Sequence, residues 1–172
     1  FNEELNKSRG LENNFRTPKI KYSGNASFND NYMPLPQDRL VYYQRLSTAK
    51  DKKDICAVHE EIKDRFGKPG SDTINLYKIT EIRIAYTNTL VKNIIIKKDR
   101  AVFTLTDPDK KTQNKLSVGE LMSVLENAGI KYRFKQGKKD SFGLVFMCGV
   151  GDDPLTMLIQ NAELFYYDNN NT

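Results

Sequence analysis

Residues 91–97 (VKNIIIK) and 101–106 (AVFTLT) decide the fold class, because a helical pattern gives way there to two runs rich in β-branched residues. Only residues 98–100 separate the two runs, and a connection of that length suits a β-hairpin. A second pair of runs follows at 130–136 (IKYRFKQ) and 142–148 (FGLVFMC). The sequence therefore predicts two hairpins.

Helical periodicity surrounds both hairpins. Apolar residues recur at helical spacing before the first hairpin, between the hairpins, and after an Asp-Asp-Pro helix start at 152–154. We expect helices at about 38–48, 54–66, 71–88 and 115–127, and from 154 onward. Asp38 is the expected N-cap of the first helix, and Ser117 with Glu120 fits a capping box. This order predicts an α+β domain with helices around a small, largely antiparallel sheet made of two hairpins.

The two ends of the chain differ from this central part. Residues 1–25 contain Gly10, Pro18 and Gly24 without sustained periodicity, which is typical of the end of an upstream helix followed by a linker arm. The globular domain is expected over 26–168, and residues 169–172 should fray. The chain opens with Phe1, and we interpret it as a piece of a longer protein.

Composition excludes several function classes. The 172 residues are 38% hydrophobic and 28% charged, which suits one domain, and no run approaches the length of a membrane span. One histidine, His59, rules out most catalytic and metal constellations, while Cys56 and Cys148 are expected in the core of a cytoplasmic protein. No GxxxxGK[ST] or GxGxxG loop occurs, so we expect no nucleotide site and no cofactor within this chain.

Basic residues concentrate in two parts of the chain, 1–53 and 91–140, within a net charge of +5. Strand alternation places Lys131, Arg133 and Lys135 on one face of the 130–136 strand. Lys138 and Lys139 follow in the adjoining loop. These cations suggest contacts with nucleic-acid phosphates, although the same pattern fits an ordinary solvated strand face.

Apolar spacing predicts the first two helices. Leu40, Tyr43 and Leu46 recur at three-residue spacing and predict the first helix, to about Thr48. In the second helix the apolar stripe centres on Ile62.

Three acids, Glu60, Glu61 and Asp64, are therefore expected on the solvent side of the second helix, and we call them the acidic ridge. Glu61 and Asp64 are three residues apart and should be neighbours in space. A ridge of this kind can dock on arginines of another surface, because arginine–carboxylate forks fix both register and partner. The alternative is a plain solvated acidic face.

One block of the chain resembles a known family. Residues 26–50 and 54–67 resemble the C-terminal domain of the bacterial transcription-repair coupling factor. The family pattern begins with an extended segment that contains Tyr and Pro, followed by a helix with the pattern Arg-Leu-x-x-Tyr-x-Arg-Leu. An Ala-Lys turn then leads to a second helix that ends in Asp-Arg-Phe-Gly. The matching residues are Arg39, Leu40, Tyr43, Arg45, Leu46, Ala49, Lys50, Asp64, Arg65, Phe66 and Gly67. The similarity continues to about Ile94. The sequence departs from the family at Leu90, where a small residue is usual, and in a longer 107–115 stretch.

The resemblance implies a parent protein that is an ATP-driven translocase on double-stranded DNA. Such a parent would displace stalled RNA polymerase and recruit the excision-repair protein UvrA in the bacterial cytoplasm. Its ATP and Mg would bind to modules outside this chain, which would itself be a non-catalytic, autoinhibitory domain.

The partner implied for this domain is the N-terminal UvrB-like module of the same polypeptide, whose UvrA-binding surface it would mask. The family's contact acids match Glu61 and Asp64. The resemblance leads us to expect that Glu61→Ala with Asp64→Ala leaves the domain folded and raises UvrA binding by the parent. A basic nucleic-acid-binding module is the alternative function, and a stand-alone carboxylate enzyme is a third class.

Overall fold

The computed structural model describes residues 17–106, 118–136 and 141–166. It confirms the predicted α+β class, with five α-helices, a short 3-10 helix and a mixed sheet in which antiparallel pairs dominate. The strands are β1 (Lys19–Tyr22), β2 (Val91–Ile96), β3 (Arg100–Thr106), β4 (Tyr132–Gln136) and β5 (Ser141–Met147). The helices are α1 (Pro36–Thr48), α2 (Lys52–Phe66), α3 (Ser71–Ala85), α4 (Val118–Asn127) and α5 (Pro154–Gln160), and the 3-10 helix is Ala162–Phe165.

The sheet has the strand order β1-β2-β3-β5-β4. Both predicted hairpins are present, as the antiparallel pairs β2–β3 and β4–β5. They join into one sheet through antiparallel pairing of β3 with β5, in which Phe103 lies opposite Leu144. Among the described strands, β1 and β4 are at the edges of the sheet, and each has one side without a described neighbouring strand.

Strand β1 corrects the expectation of a linker arm over residues 1–25. It pairs in parallel with β2, in a register that places Lys19 beside Asn93 and Ile20 beside Ile94. The strand is only four residues long, too short for alternation to stand out in the sequence. Residues 1–16 and the expected fraying tail at 169–172 lie outside the described part of the chain.

Two hydrophobic clusters form the core. The larger one packs one face of the sheet against α3, α4, α5 and the 3-10 helix, and its aromatic centre is Phe103, which contacts Tyr86, Phe146 and Phe165. The smaller cluster joins α1, α2 and α3 around residues such as Ile62. Because α3 contributes to both clusters, it connects the helical part to the sheet.

The helix starts differ from several predictions. Helix α1 begins at Pro36, whose fixed φ suits a first helical residue, so Asp38 lies in the first turn and is not the N-cap. Helix α2 begins two residues before Asp54, because Asp51 accepts a hydrogen bond from the Asp54 amide and is the N-cap. Helix α3 ends at Ala85 rather than near 88. The predicted capping residue Ser117 lies outside the described residues.

The buried face of α1 does not follow the three-residue spacing of Leu40, Tyr43 and Leu46. Tyr42 and Leu46 are buried, whereas Leu40 is 58% exposed and Tyr43 is half-buried. Tyr42 and Leu46 are four residues apart, which is the spacing of one helical face. This rotation turns the Tyr42 side chain toward α2.

None of the helices in the described part of the chain combines the length and apolar composition that a membrane-spanning helix needs.

Candidate docking surface

Helix α2 presents the acidic ridge because its opposite face is buried. Ile55, Val58 and Ile62 pack into the smaller cluster, which fixes the rotation of the helix about its axis. The helix ends at Phe66 and is followed by the C-cap Gly67, whose positive φ of 82° glycine adopts without steric cost. Glu60, Glu61 and Asp64 are all exposed, so the structure places the predicted acids together on the solvent side.

Glu61 is held by two partners from α1. Its Oε1 accepts a hydrogen bond from the Tyr42 hydroxyl at 2.9 Å, and its Oε2 accepts one from Arg45 at 2.6 Å. These bonds from Arg45 and Tyr42 lower the pKa of the Glu61 carboxyl. The side chain is still 43% exposed. Glu61 is therefore partly neutralised within its own fold.

Tyr42 connects Glu61 to a second cation. Its hydroxyl oxygen accepts a hydrogen bond from Arg65 at 2.8 Å, while its hydrogen goes to Glu61. Arg65 also lies 3.4 Å from Asp38 in the first turn of α1. We call this set of five residues the Tyr42 network: Asp38, Tyr42, Arg45, Glu61 and Arg65. The network connects α1 to α2 through the buried ring of Tyr42 and through carboxylate and guanidinium groups of opposite charge.

The other two acids are more available than Glu61. The Glu60 side chain is 62% exposed and lies 3.6 Å from Lys63, which is a loose pair at helical spacing. The Asp64 side chain is exposed and forms no hydrogen bond or ion pair with any residue in the ranges 17–106, 118–136 and 141–166. The ridge therefore holds one free carboxylate, one weakly paired one and one firmly held one.

Three predicted cations, Lys131, Arg133 and Lys135, which we call the basic stripe, lie in the edge strand β4 or directly before it. Lys131, Arg133 and Lys135 are exposed, while Tyr132 and Phe134 pack against the larger cluster, as alternation predicts. Lys138 and Lys139, the other cations of this prediction, lie outside the described residues.

The remaining residues singled out in the sequence are His59, Cys56 and Cys148. His59 is half-buried and its ring lies 5.1 Å from that of Tyr77. Cys56 is exposed on α2, so the prediction of a core cysteine was wrong there, and Cys148 is partly buried. Across the described residues, no group of three or more His, Cys, Asp or Glu could hold a metal ion.

Sequence reasoning missed the α1 members of the network. Arg45 belongs to the family pattern and Tyr42 precedes its tyrosine, Tyr43, but which side of α1 faces α2 depends on the packing of the two helices. A signal was available in the four-residue spacing of Tyr42 and Leu46, which competes with the three-residue spacing of Leu40, Tyr43 and Leu46.

Comparison with known proteins agrees with this architecture. The family model described as TRCF domain matches residues 23–116, which is more than half of the chain. The chain belongs to the TRCF domain family. The matched segment includes α1, α2, α3 and the first hairpin, and so contains both the acidic ridge and the Tyr42 network. It ends before β4, so the basic stripe lies outside it.

A solved structure shares the fold of this TRCF domain. The crystal structure of the C-terminal domain of transcription-repair coupling factor superposes with a TM-score of 0.67 at 16% identity, covering 87% of this chain and 96% of that one. Both comparisons confirm the resemblance that the sequence suggested. No curated protein matches the chain.

Proposed function

We propose that this TRCF domain is a non-catalytic regulatory domain that docks, through the acidic ridge, on an N-terminal UvrB-like module of the same polypeptide. The parent would be an ATP-dependent translocase on double-stranded DNA that displaces stalled RNA polymerase and recruits UvrA. Docking would mask the UvrA-binding surface until the parent engages the polymerase. The observation that carries the proposal is an exposed row of carboxylates on a rigid helix, with Asp64 unpaired within the described residues.

The carboxylates would have different parts in this contact. Asp64 can accept both donors of an incoming arginine fork, because no described side chain competes for it. Glu61 already uses both oxygens, but a carboxylate offers about four acceptor positions, so it can accept one further donor. The bonds from Tyr42 and Arg45 hold Glu61 in a fixed rotamer, which lowers the entropy lost on docking.

Weak contacts suit a domain that must dissociate. An exposed ion pair contributes about 0–1 kcal/mol, so Asp64 and Glu61 together would contribute at most about 2 kcal/mol. A regulatory coupling of about 1–3 kcal/mol is enough to shift a two-state switch. The ridge would therefore bias the closed state without locking it.

Nucleotide chemistry is assigned to other parts of the parent. The chain has no GxxxxGK[ST] loop, and the described residues bring together no set of ligands suited to a metal ion. In this proposal, as the family resemblance implies, ATP and Mg bind in modules of the parent outside this chain, and the location is the bacterial cytoplasm.

The test compares the ridge with a matched control in the full-length parent. Glu61→Ala with Asp64→Ala should raise UvrA binding, measured by titration with UvrA, and should also weaken association of the isolated domain with the UvrB-like module. Glu163→Ala removes an exposed acid from the 3-10 helix and should change neither. Unchanged UvrA binding in the double variant, with the domain still folded by circular dichroism, would refute the masking role.

The alternative function is a basic nucleic-acid-binding module built on β4. It is supported by the exposure of Lys131, Arg133 and Lys135, none of which has an ion-pair partner in the described parts of the chain. Affinity for duplex DNA that falls steeply with salt would favour it, because each neutralised phosphate adds to the salt dependence.

A further inference from the structure

The face of the sheet opposite the larger cluster, which we call the outer face, has an unusual distribution of charge. Its middle row, read across the strands, is Lys21, Ile95, Val102, Val145 and Arg133. The row begins and ends with an exposed cation on an edge strand and is apolar between them.

Cations also flank the two neighbouring rows, but the first of these rows is polar between its cations and the second has its arginine on the central strand β3. On one side the row runs from Lys19 through Asn93, Thr104 and Gly143 to Lys135. Gly143 has no side chain that could project from this row. A Cβ at this position would lie 3.2 Å from the Cβ of Lys135.

On the other side of the middle row, Arg100 lies beside Met147, whose amide donates to the carbonyl oxygen of Lys131. None of the residues in the three rows is acidic. The one described carboxylate paired with them belongs to Asp99, in the turn next to Arg100.

The apolar centre of the outer face is partly open to solvent. Ile95 is 41% exposed and Met147 is 37% exposed, and neither belongs to the two hydrophobic clusters. Val145 and Val102 lie beside them in the same face. The two rims of cations are four strand spacings apart, or about 19 Å.

We propose that the outer face is a docking surface for a protein whose own surface has an apolar centre with acidic residues around it. This is the anatomy of a protein–protein interface, in which a dehydrated apolar core is surrounded by a charged rim. The uniform positive rim selects an acidic partner, because like charges brought together in an interface oppose association. The surface is separate from the acidic ridge, so this inference goes beyond the regulatory contact proposed above.

Nucleic acid fits the outer face less well. Bases of a single strand stack on aromatic side chains, and none of the residues in the three rows is aromatic. Duplex phosphates would contact the cations but would leave Ile95 and Met147 without an apolar partner.

The test uses the whole 172-residue chain and three probes. The first is a peptide of alternating glutamate and leucine, the second has serine in place of each leucine, and the third is a short DNA duplex. Amide shifts in NMR titrations report both affinity and location. The glutamate–leucine peptide should bind most tightly and should shift amides of β2, β3 and β5 as well as those of the edge strands.

Paired variants separate the rim from the centre. Lys21→Glu with Arg133→Glu should weaken binding of the glutamate–leucine peptide by about five- to tenfold. Ile95→Thr with Met147→Thr should remove the preference for leucine over serine. Lys53→Glu with Lys68→Glu changes net charge equally at exposed cations off the sheet and should have little effect.

Four outcomes would overturn the proposal. The first is that the DNA duplex binds more tightly than either peptide, and the second is that Lys53→Glu with Lys68→Glu weakens peptide binding as much as the rim variant does. The third is that the amide shifts are confined to β4, and the fourth is that none of the three probes binds. Because none of these measurements involves Glu61, Asp64 or UvrA, the proposal can fail while the regulatory function holds, and the reverse.

Discussion

The Tyr42 hydroxyl donates a hydrogen bond to Oε1 of Glu61 at 2.9 Å, across the contact between α1 and α2. The ring beneath that hydroxyl is 1% exposed, whereas the carboxylate above it reaches solvent. A buried aromatic residue therefore sets the position of a charged residue in the acidic ridge. This arrangement connects the packing of the helical part to the surface through which we propose that it docks.

Replacing Tyr42 by phenylalanine should lower the free energy of unfolding by about 1 kcal/mol. The substitution keeps the buried ring but removes the donor to Glu61 and the acceptor for Arg65. Urea unfolding of the variant and of the unchanged chain measures the difference. Tyr22→Phe is the matched control, because the Tyr22 hydroxyl has no hydrogen bond within the described residues, and an equal loss in both variants would contradict the role of the network.

Tyr77→Phe should have the opposite result. The Tyr77 side chain is 6% exposed, and its hydroxyl is buried without a hydrogen-bond partner in the described part of the chain. Burial raises the pKa of Tyr77, as expected for a phenol kept from water. Removing an unpaired buried hydroxyl relieves a desolvation penalty of about 1–3 kcal/mol, so the variant should unfold at an equal or higher urea concentration. A clear loss of stability would show that the hydroxyl has a partner.

Acid should remove the contribution of Glu61 to stability. Hydrogen bonds from Arg45 and Tyr42 lower the pKa of Glu61 in the folded state, so this contribution is complete above the unfolded glutamate pKa of about 4.3. It is lost as the pH falls through the lower folded-state pKa. The stability difference between the unchanged chain and Glu61→Gln should therefore be largest at neutral pH and should shrink in acid. Urea unfolding across that pH range measures it, and a difference independent of pH would contradict the assignment.

The hairpins could be predicted from the sequence because their determinants are local. Residues 91–106 combine β-branched runs with a short turn, and alternation in 130–136 correctly placed Tyr132 and Phe134 on the core side. Strand β1 could not be predicted in this way. Its four residues pair with β2, which is distant in the chain, and a parallel neighbour leaves no turn signal between the two strands.

The sequence predicts on which side of α2 the acidic ridge lies, but not which of its acids are paired. The apolar stripe of α2 fixed that side from the sequence alone. Which acids remain free depends on how α1 crosses α2, because the crossing brings Arg45 and Tyr42 to Glu61 and leaves Asp64 without a described partner. Spacing along one helix contains no information about that crossing, so the pairing of Glu61 required the structure.

The start of α5 provides the last prediction, since a single aspartate connects that helix to α3. Asp153 is the N-cap and accepts hydrogen bonds from the amides of Leu155 and Thr156. It also lies 2.6 Å from Lys78 on α3. Burial alone would raise the pKa of Asp153, but the bonds from Lys78 and Thr156 lower it overall.

Asp153→Ala should therefore cost about 1–2 kcal/mol of unfolding free energy, which combines a lost N-cap with a lost ion pair. Asp153→Asn separates the two contributions, because asparagine caps a helix nearly as well as aspartate but carries no charge. In urea unfolding, Asp153→Asn should retain most of the stability that Asp153→Ala loses. Lys78→Met removes only the ion pair, so its loss of stability should equal the smaller loss in Asp153→Asn. If asparagine proves as destabilising as alanine, the ion pair rather than the cap holds α5 against α3.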